Sequence, residues 1–359
     1  MLTDYFRVVP ENIPNDGILF ADLQKEDRSS HLGHALVEYA PSKILAFYPT
    51  CSAEDKRYNG HSGYGWMEYK RSEDGGETWS ESIPEPNSKA LFDLHCGRTA
   101  MCEKAVCTDT GRIVLFYVQC DIHTDGHVWE PYYSPLYAVS DDQGYSFSEV
   151  KSLSAIPGRV WDALYKDGVI YVLFQRGPWS KMTRCGEYEL LVSEDNGETF
   201  VSRGIIPFAY TITCFYGNMV FTPEGKLLVY CYDECDEHNL KYIISNDCGM
   251  TWETTRRTFF ARRLRNPQLT YFDGKYIIHG RIGTFGSEEK IGHFIAYTSD
   301  DGINWDEGQY LHMRVAKAGA YSNNLIVHMP DGSERLMIQV SKAYEEYKTN
   351  VLMYFIEKK

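Results

Sequence analysis

The segment that decides the fold is Ser72-Glu73-Asp74-Gly75-Gly76-Glu77-Thr78-Trp79, because four related segments follow it along the chain. The later copies are SDDQGYSF (140–147), SEDNGETF (193–200), SNDCGMTW (245–252) and TSDDGINW (298–305). Each copy reads Ser/Thr-x-Asp-x-Gly-x-Ser/Thr/Asn-Trp/Phe. The aspartate accepts hydrogen bonds from the backbone of a tight turn, the glycine takes a positive φ, and the aromatic residue anchors the turn against neighbouring strands.

The spacing of the copies indicates a repeated array. Successive copies start 68, 53, 52 and 53 residues apart, which is about the length of one four-stranded sheet with its loops. Upstream of each copy lie two apolar runs joined by a short turn, and a sixth pair of runs near the C-terminus lacks the turn motif. Closing six such units into a ring leaves few exposed sheet edges. The sequence therefore predicts an all-β, six-bladed propeller as a single domain over residues 1–359, with residues 5–9 as the outer strand of the last blade.

The amino-acid composition agrees with this fold and excludes some classes of binding partner. Aromatic residues make up 14% of the chain, with 27 tyrosines and 29 glycines, which suits many short strands and turns. The net charge of −14 argues against nucleic acid or an anionic membrane surface as a partner, because both require a basic surface. The sequence has no signal-peptide pattern and no apolar run long enough to span a membrane, so we expect a cytoplasmic protein with reduced cysteines.

Polar residues recur where the first strand of each blade begins. In a propeller this strand lines the central channel, and its start lies on the same face as the loop between strands two and three. The turn motif lies on the opposite face and is therefore structural. Because interiors are normally apolar, these polar residues predict a pocket. They are His31, His34, Arg98, Glu103, Arg159, Asp162, Tyr216, Arg265, Asn266, Tyr321 and Asn324, with Arg281 at the end of a second strand on the same face.

The residue types in this pocket suggest chemistry on a sugar. Arginine forks match a carboxylate, sulfate or phosphate. The carboxylates proposed for acid/base catalysis are Asp55, Glu103 and Asp162, and the histidines, which include His61, could donate to sugar hydroxyls or transfer protons. Loop aromatics could stack on sugar faces, namely Tyr64, Trp66, Trp129, Tyr132, Tyr133, Trp179 and Phe285. The sequence shows no motif for a cofactor or a metal ion.

The turn motif, its place in each repeat and the count of six resemble the sialidase superfamily, in which the motif is called the Asp-box or BNR repeat. The resemblance covers essentially the full chain. It implies a glycosidase with an arginine triad for the substrate carboxylate, an aspartate acid/base, and a tyrosine nucleophile activated by a glutamate. Gly319-Ala320-Tyr321-Ser322 looks like the Ala-Tyr-Ser segment of sialidases, which implies that Tyr321 is the nucleophile.

Two segments depart from the sialidase pattern and leave several functions open. Blade one carries residues 31–36 (HLGHAL) where Phe-Arg-Ile-Pro is expected, and blade four opens with residues 214–218 (CFYGN) where Asn-Glu is expected. The favoured function is a sialidase-like exo-glycosidase that removes a terminal sialic or other acidic sugar. The alternatives are a glycosidase for a non-sialic sugar, as in exo-arabinanases, a polysaccharide lyase, or a non-catalytic glycan-binding propeller. All of them predict a glycan or small carbohydrate as the partner.

Overall fold

The computed structural model describes residues 1–31, 33–51, 64–121, 132–177, 186–209, 213–282, 293–313, 319–345 and 348–359. Within these ranges the chain forms six antiparallel sheets; in five of them neighbouring strands follow chain order, and in the sixth the N-terminal strands pair with the last strand of the chain. The first strand of every blade contacts the first strands of the two adjacent blades, so the inner strands form a closed ring. The prediction of an all-β, six-bladed propeller is confirmed.

The elements are as follows, in chain order. The N-terminal segment forms helix α1 (Leu2–Tyr5), strands β1 (Phe6–Val9) and β2 (Ile18–Ala21), and a 3-10 helix (Gln24–Glu26). Blade one contains β3 (Leu36–Ala40), β4 (Lys43–Cys51), β5 (Gly65–Ser72) and β6 (Ile83–Pro84), and helix α2 (Pro86–Asp93) follows it. Blade two contains β7 (Arg98–Cys107), β8 (Ile113–Asp121), β9 (Leu136–Ser140) and β10 (Lys151–Ser152). Blade three contains β11 (Gly158–Lys166), β12 (Val169–Arg176), β13 (Tyr188–Ser193) and β14 (Val201–Ile206).

The second half of the ring has the same organisation. Blade four contains β15 (Cys214–Phe221), β16 (Leu227–Asp233), β17 (Asn239–Ser245) and β18 (Arg256–Phe259). Blade five contains β19 (Arg265–Phe272), β20 (Lys275–Arg281), β21 (Phe294–Ser299) and β22 (Gln309–His312). Blade six contains β23 (Gly319–His328), β24 (Glu334–Ala343) and β25 (Thr349–Lys358).

The N-terminal segment completes blade six and closes the ring. Strand β1 pairs antiparallel with β25, with Phe6 opposite Lys358 and Val9 opposite Phe355. This confirms the predicted closure between the two ends of the chain. Strand β2 also pairs with β25, through Ile18 opposite Met353, and the sequence analysis did not anticipate this second strand. Together β1 and β2 cover the edge of β25 that would otherwise expose unpaired backbone groups.

The hydrophobic core is divided into six clusters, and each cluster joins two neighbouring blades. Leu45 of blade one and Leu115 of blade two belong to one cluster, and Phe116 of blade two and Val172 of blade three belong to the next. Because both faces of a blade are covered in this way, its middle strands are continuous apolar runs rather than alternating ones. Strand β16, for example, is buried at every position.

The first four turn motifs share the same serine and aspartate hydrogen bonds, which the first copy illustrates. The Ser72 hydroxyl donates to Asp74 and accepts from the Gly76 N–H, at 2.8 and 2.7 Å. Asp74 then accepts the Thr78 N–H at 2.9 Å, and the Trp79 indole donates to the Gly76 carbonyl at 3.0 Å. These bonds are local, which explains why the motif can be recognised from sequence alone.

The fifth copy is one residue shorter than its sequence alignment suggests. There the hydroxyl of Ser299 donates to Asp301 at 2.9 Å and accepts from the N–H of Gly302 at 3.0 Å. The alignment instead assigned these roles to Thr298 and Asp300, and that assignment is wrong. Thr298 donates to Asp306 at 2.7 Å, because the shorter turn moves the serine and the aspartate forward by one position.

Each turn packs against the preceding blade. A Cβ placed on Gly144 of blade two would lie 2.3 Å from the Leu45 side chain of blade one, and one on Gly249 of blade four would lie 2.2 Å from Leu190 of blade three. The N–H of Gly75 donates to the Ser42 carbonyl in the β3–β4 turn at 2.7 Å, so the motif lies at the end of the first strand, away from its start. The motif therefore holds neighbouring blades together and leaves the other face for function.

We expect Gly144→Ala to destabilise the fold more than Gly168→Ala. Both glycines have a positive φ, near 80°, but a Cβ at Gly168 would meet nothing within 4 Å. The shared backbone strain cancels in the comparison, and the clash with Leu45 should cost a further 1–3 kcal/mol, roughly. Denaturant unfolding of the two variants measures the difference. Equal free energies of unfolding would show that the turn does not depend on this contact.

We also expect Asp142 to stabilise the fold in a pH-dependent way. Hydrogen bonds from the Ser146 hydroxyl and the Ser146 N–H lower the pKa of Asp142 to about 2. A depressed carboxyl pKa stabilises the folded state above the ordinary value of 3.8, and this stabilisation is lost as the pH falls towards about 2. Asp142→Asn should therefore lower the free energy of unfolding at neutral pH, and its deficit relative to the wild type should shrink between about pH 4 and pH 2. A deficit that stays constant over this range would contradict the role of the charge.

Candidate active site

Backbone bulges place the side chains at the channel end of the first strands. The registers of β15, β19 and β23 shift between Phe215 and Asn218, between Arg265 and Gln268, and between Gly319 and Ser322. Each bulge contains a residue other than glycine in the left-handed region, namely Tyr216 (φ 49°), Asn266 (φ 51°) and Ala320 (φ 60°). A left-handed residue costs roughly 1–2 kcal/mol, and such strain is concentrated at functional sites. The same device at equivalent positions of three blades marks this end of the channel as the candidate site.

Tyr321 lies at the centre of this group and is 6% exposed. Arg281 donates from Nη2 to the Tyr321 hydroxyl at 3.1 Å, and its guanidinium lies 4.5 Å from the ring centroid. The His31 ring meets the Tyr321 ring edge-on at 4.3 Å, and Tyr216 lies 6.0 Å away between ring centroids. The structure thus brings four of the predicted site residues together.

The surroundings of Tyr321 favour its ionised form. Burial raises the pKa of a phenol, but here the positive charges of Arg281 and Arg265 and a hydrogen bond from Tyr216 outweigh burial. The pKa of Tyr321 is therefore lowered from its usual value. By contrast, burial and the charge of Tyr321 raise the pKa of Tyr216.

Two residues that the sequence analysis missed hold Arg265. Its Nη2 donates to the Tyr232 hydroxyl at 3.0 Å, and its Nε lies 3.2 Å from Oε1 of Glu237. Glu237 is 5% exposed, and although Arg265 opposes the effect, burial raises its pKa. Glu237 belongs to the loop between strands two and three of blade four, and the rule that places such loops on the channel face could have found it.

Arg159 forms a second charged pair next to this group. Its Nη2 donates to Glu103 at 2.8 Å, and its Nη1 donates to the Tyr132 hydroxyl at 3.2 Å. The guanidinium also lies 4.3 Å from the Trp161 ring. Glu103 is therefore an ion-paired carboxylate, and Tyr132 supports the arginine through a hydrogen bond.

A small cavity of about 30 Å³ connects the two charged groups. It is close to the size of a single water molecule. Its lining includes the predicted residues His34, Glu103, Arg159, Tyr216, Asn266 and Tyr321. His34 is 4% exposed, and burial lowers its pKa to about 4, so the imidazole is neutral at physiological pH.

Asp162 lies deeper in the channel, in a layer that separates its two ends. Its Oδ1 lies 3.1 Å from the Lys104 ammonium, and its Oδ2 accepts the N–H of Met219 at 2.7 Å. Lys104 also donates to Gln268 and Asn323, at 2.6 and 2.7 Å. Asp162 lines a wider cavity of about 420 Å³, formed by later positions of the first strands. The structure places it in a structural ion pair and not beside Tyr321.

The remaining predicted residues lie apart from Tyr321 or outside the described ranges. Asn324 lines the wider cavity and contacts His279, with 3.0 Å between Nδ2 and Nε2. Arg98 is exposed and lies 4.2 Å from the Tyr133 ring. The predicted residues outside the described part of the chain are Asp55, His61, Trp129, Trp179 and Phe285.

The described residues contain no group of three or more histidine, cysteine or acidic side chains that could hold a metal ion. None of the helices in those same ranges is long and apolar enough to cross a membrane.

Comparison with known proteins identifies the family. A sequence profile of the BNR repeat-like domain matches residues 159–345, which is just over half of the chain. A sialidase of Paraclostridium sordellii is 25% identical over 321 residues, which cover 83% of this chain and 70% of that protein.

Solved structures with the same fold include a protein of unknown function from Dyadobacter fermentans, with a TM-score of 0.70, 13% identity and 99% of both chains covered. The intramolecular trans-sialidase of Ruminococcus gnavus has a TM-score of 0.63 at 12% identity, covering 95% of this chain and 97% of its own. At these identities the likeness extends to the fold alone. The chain belongs to the BNR repeat-like domain family, and it has the six-bladed propeller of the sialidase-like proteins.

Proposed function

We propose that this protein is a sialidase-like glycoside hydrolase that removes a terminal acidic sugar, with Tyr321 as its nucleophile. The observation that carries the proposal is the 3.1 Å hydrogen bond from the Arg281 guanidinium to the Tyr321 hydroxyl, inside a buried group that also holds Arg265. A cation at this distance favours the phenolate, which is the nucleophilic form of tyrosine. The relationship to the Paraclostridium sialidase supports the same reaction class.

The proposed reaction proceeds by double displacement. The Tyr321 phenolate oxygen forms a bond to the anomeric carbon while the glycosidic C–O bond breaks, and the departing oxygen takes a proton from an acid. Water then gives a proton to the conjugate base of that acid and attacks the anomeric carbon; the bond from this carbon to the Tyr321 oxygen breaks, the sugar leaves and the electron pair returns to the phenolate. Asp55 and Glu103 stay predictions for the acid/base, and Glu103 lines the same small cavity as Tyr321.

The preference for an acidic sugar is proposed from the arginines. Arg265 and Arg281 are opposite each other on β19 and β20, and Arg159 borders the small cavity. Two or three guanidinium groups within one pocket suit a carboxylate that accepts paired hydrogen bonds. These arginines come from blades three and five, whereas the sialidase pattern expects blades one, four and five.

One observation favours a second candidate, a glycosidase for an uncharged sugar. Glu103 pairs with Arg159 at 2.8 Å, and Glu237 lies 3.2 Å from Arg265. These carboxylates compensate two of the three guanidinium charges. When the arginines of a pocket are already paired with carboxylates, a substrate carboxylate contributes less binding free energy.

The two candidates can be separated with aryl glycosides of a sialic acid, an arabinose and a uronic acid. We expect turnover of the sialoside, and we expect Tyr321→Phe to reduce kcat by about 10³-fold or more, because the variant lacks the attacking oxygen. The matched control is Tyr137→Phe, whose hydroxyl donates to the Glu198 carbonyl in the turn of blade three and which should keep wild-type activity. Turnover of the arabinoside alone would favour the uncharged sugar. If Tyr321→Phe still hydrolyses the sialoside at the wild-type rate, Tyr321 is not the nucleophile.

A further inference from the structure

We propose that Tyr321 rests as a phenolate before substrate binds, held by Arg281 and by a hydrogen bond from Tyr216. In this arrangement Tyr216 is a positioning residue that acts through Tyr321. The resting state stands on the geometry of the free protein, and its role in attack on a sugar rests on the proposed function above.

The first argument is the charge balance of blade five. Arg265 and Arg281 occupy directly opposite positions on neighbouring strands, and they are only 9% and 6% exposed. Like charges directly opposite each other destabilise a sheet, and buried charges require partners of opposite sign. Glu237 and Glu234 both lie against Arg265, at 3.2 and 3.7 Å. Arg281 instead donates to the Tyr321 hydroxyl at 3.1 Å, and a phenolate there gives this arginine a partner of opposite sign.

The second argument is the position of Tyr216. Its backbone is left-handed at φ 49°, a conformation that is unusual for a bulky side chain. Its ring is held between Trp161 and Tyr232, at centroid distances of 4.3 and 5.7 Å. The strained bulge and the packed ring bring its hydroxyl to Tyr321, and that contact lowers the pKa of Tyr321.

The two tyrosines divide their roles by charge. Adjacent phenols seldom ionise together, because the first negative charge opposes the second. Tyr321 lies against Arg281 and takes the charge. Burial and that charge raise the pKa of Tyr216, so Tyr216 keeps its proton and donates a hydrogen bond. The pair thus consists of one ionised phenol and one neutral donor.

The groups around Tyr321 come from several elements. Arg265 and Arg281 belong to blade five and Tyr216 to blade four, and the His31 ring, from the segment before blade one, lies 4.3 Å away. The Tyr321 N–H donates to the Ser341 hydroxyl at 3.1 Å, which fixes the backbone without adding charge.

This resting state has a consequence for catalysis. A tyrosine that has already lost its proton to solvent requires no base at the moment of attack. The acid limb of kcat/KM should then follow the titration of Tyr321, with activity lost as the pH falls through its pKa and the phenolate takes up a proton. Tyr216→Phe should move that limb to higher pH.

The direct test measures the phenolate absorbance band of the free protein in the near ultraviolet as the pH is raised. We expect wild type to contain one tyrosinate that titrates well below about pH 10, the ordinary value, and Tyr321→Phe to lack it. Tyr216→Phe and Arg281→Gln should each raise its midpoint by about one to two pH units, because each removes a hydrogen bond to a charged oxygen. The control Tyr137→Phe should leave this titration unchanged.

The outcomes separate this inference from the proposed function. If the phenolate absorbance of wild type and of Tyr321→Phe rises identically up to about pH 10, Tyr321 does not rest as a phenolate, whatever the glycoside assays show. If Tyr216→Phe leaves the midpoint in place, Tyr216 is not the positioning residue. If the early tyrosinate is present while every glycoside stays intact, the inference holds and the proposed function fails.

Discussion

The contact between each blade and its neighbours is the constraint on which the rest of this structure depends. A four-stranded sheet with two apolar faces cannot be stable in water by itself, because both faces require cover. Here each of the six core clusters is shared by two blades, and the glycine of each turn motif is seated on the blade before it. Stability therefore depends on closing the ring. Strands β1 and β2 close it by pairing with β25, so that the two ends of the chain meet in one blade.

Closing the ring also creates the site. Six first strands converge on one axis, and a ring of inner strands leaves a channel that side chains must fill. Lys104, Asp162, Gln268 and Asn323 fill its middle with a connected set of polar contacts. This layer separates the wide cavity from the small one, and it places the arginines and tyrosines at the end where the first strands begin. The turn motifs at the other end of the blades hold the structure together and take no part in the site.

The chemistry of the site follows from charges that are buried in pairs. Arg159 faces Glu103, Arg265 faces Glu237, and Arg281 faces Tyr321. The first two partners are carboxylates, whereas the third is a phenol whose pKa the guanidinium groups lower. The strained bulges at Tyr216, Asn266 and Ala320 are tolerated because the surrounding strands hold them in place. A single resting phenolate and a neutral tyrosine beside it would give this propeller a nucleophile that needs no separate base.

The sequence by itself determined the first four turn motifs, the number of blades and the closure through the N-terminal segment, and it proposed Tyr321, Arg265 and Arg281 as candidates. These features depend on hydrogen bonds between near neighbours and on the length of the repeat, so a linear pattern records them. The tertiary structure decided that Arg265 and Arg281 lie opposite each other, that Glu237 and Tyr232 hold Arg265, and that Asp162 pairs with Lys104 away from Tyr321. Each of these depends on a bulge that shifts the register by a residue, or on a contact between distant parts of the chain. A one-residue shift reverses the face on which a strand's side chains lie, and no local pattern in this sequence marks where those shifts occur.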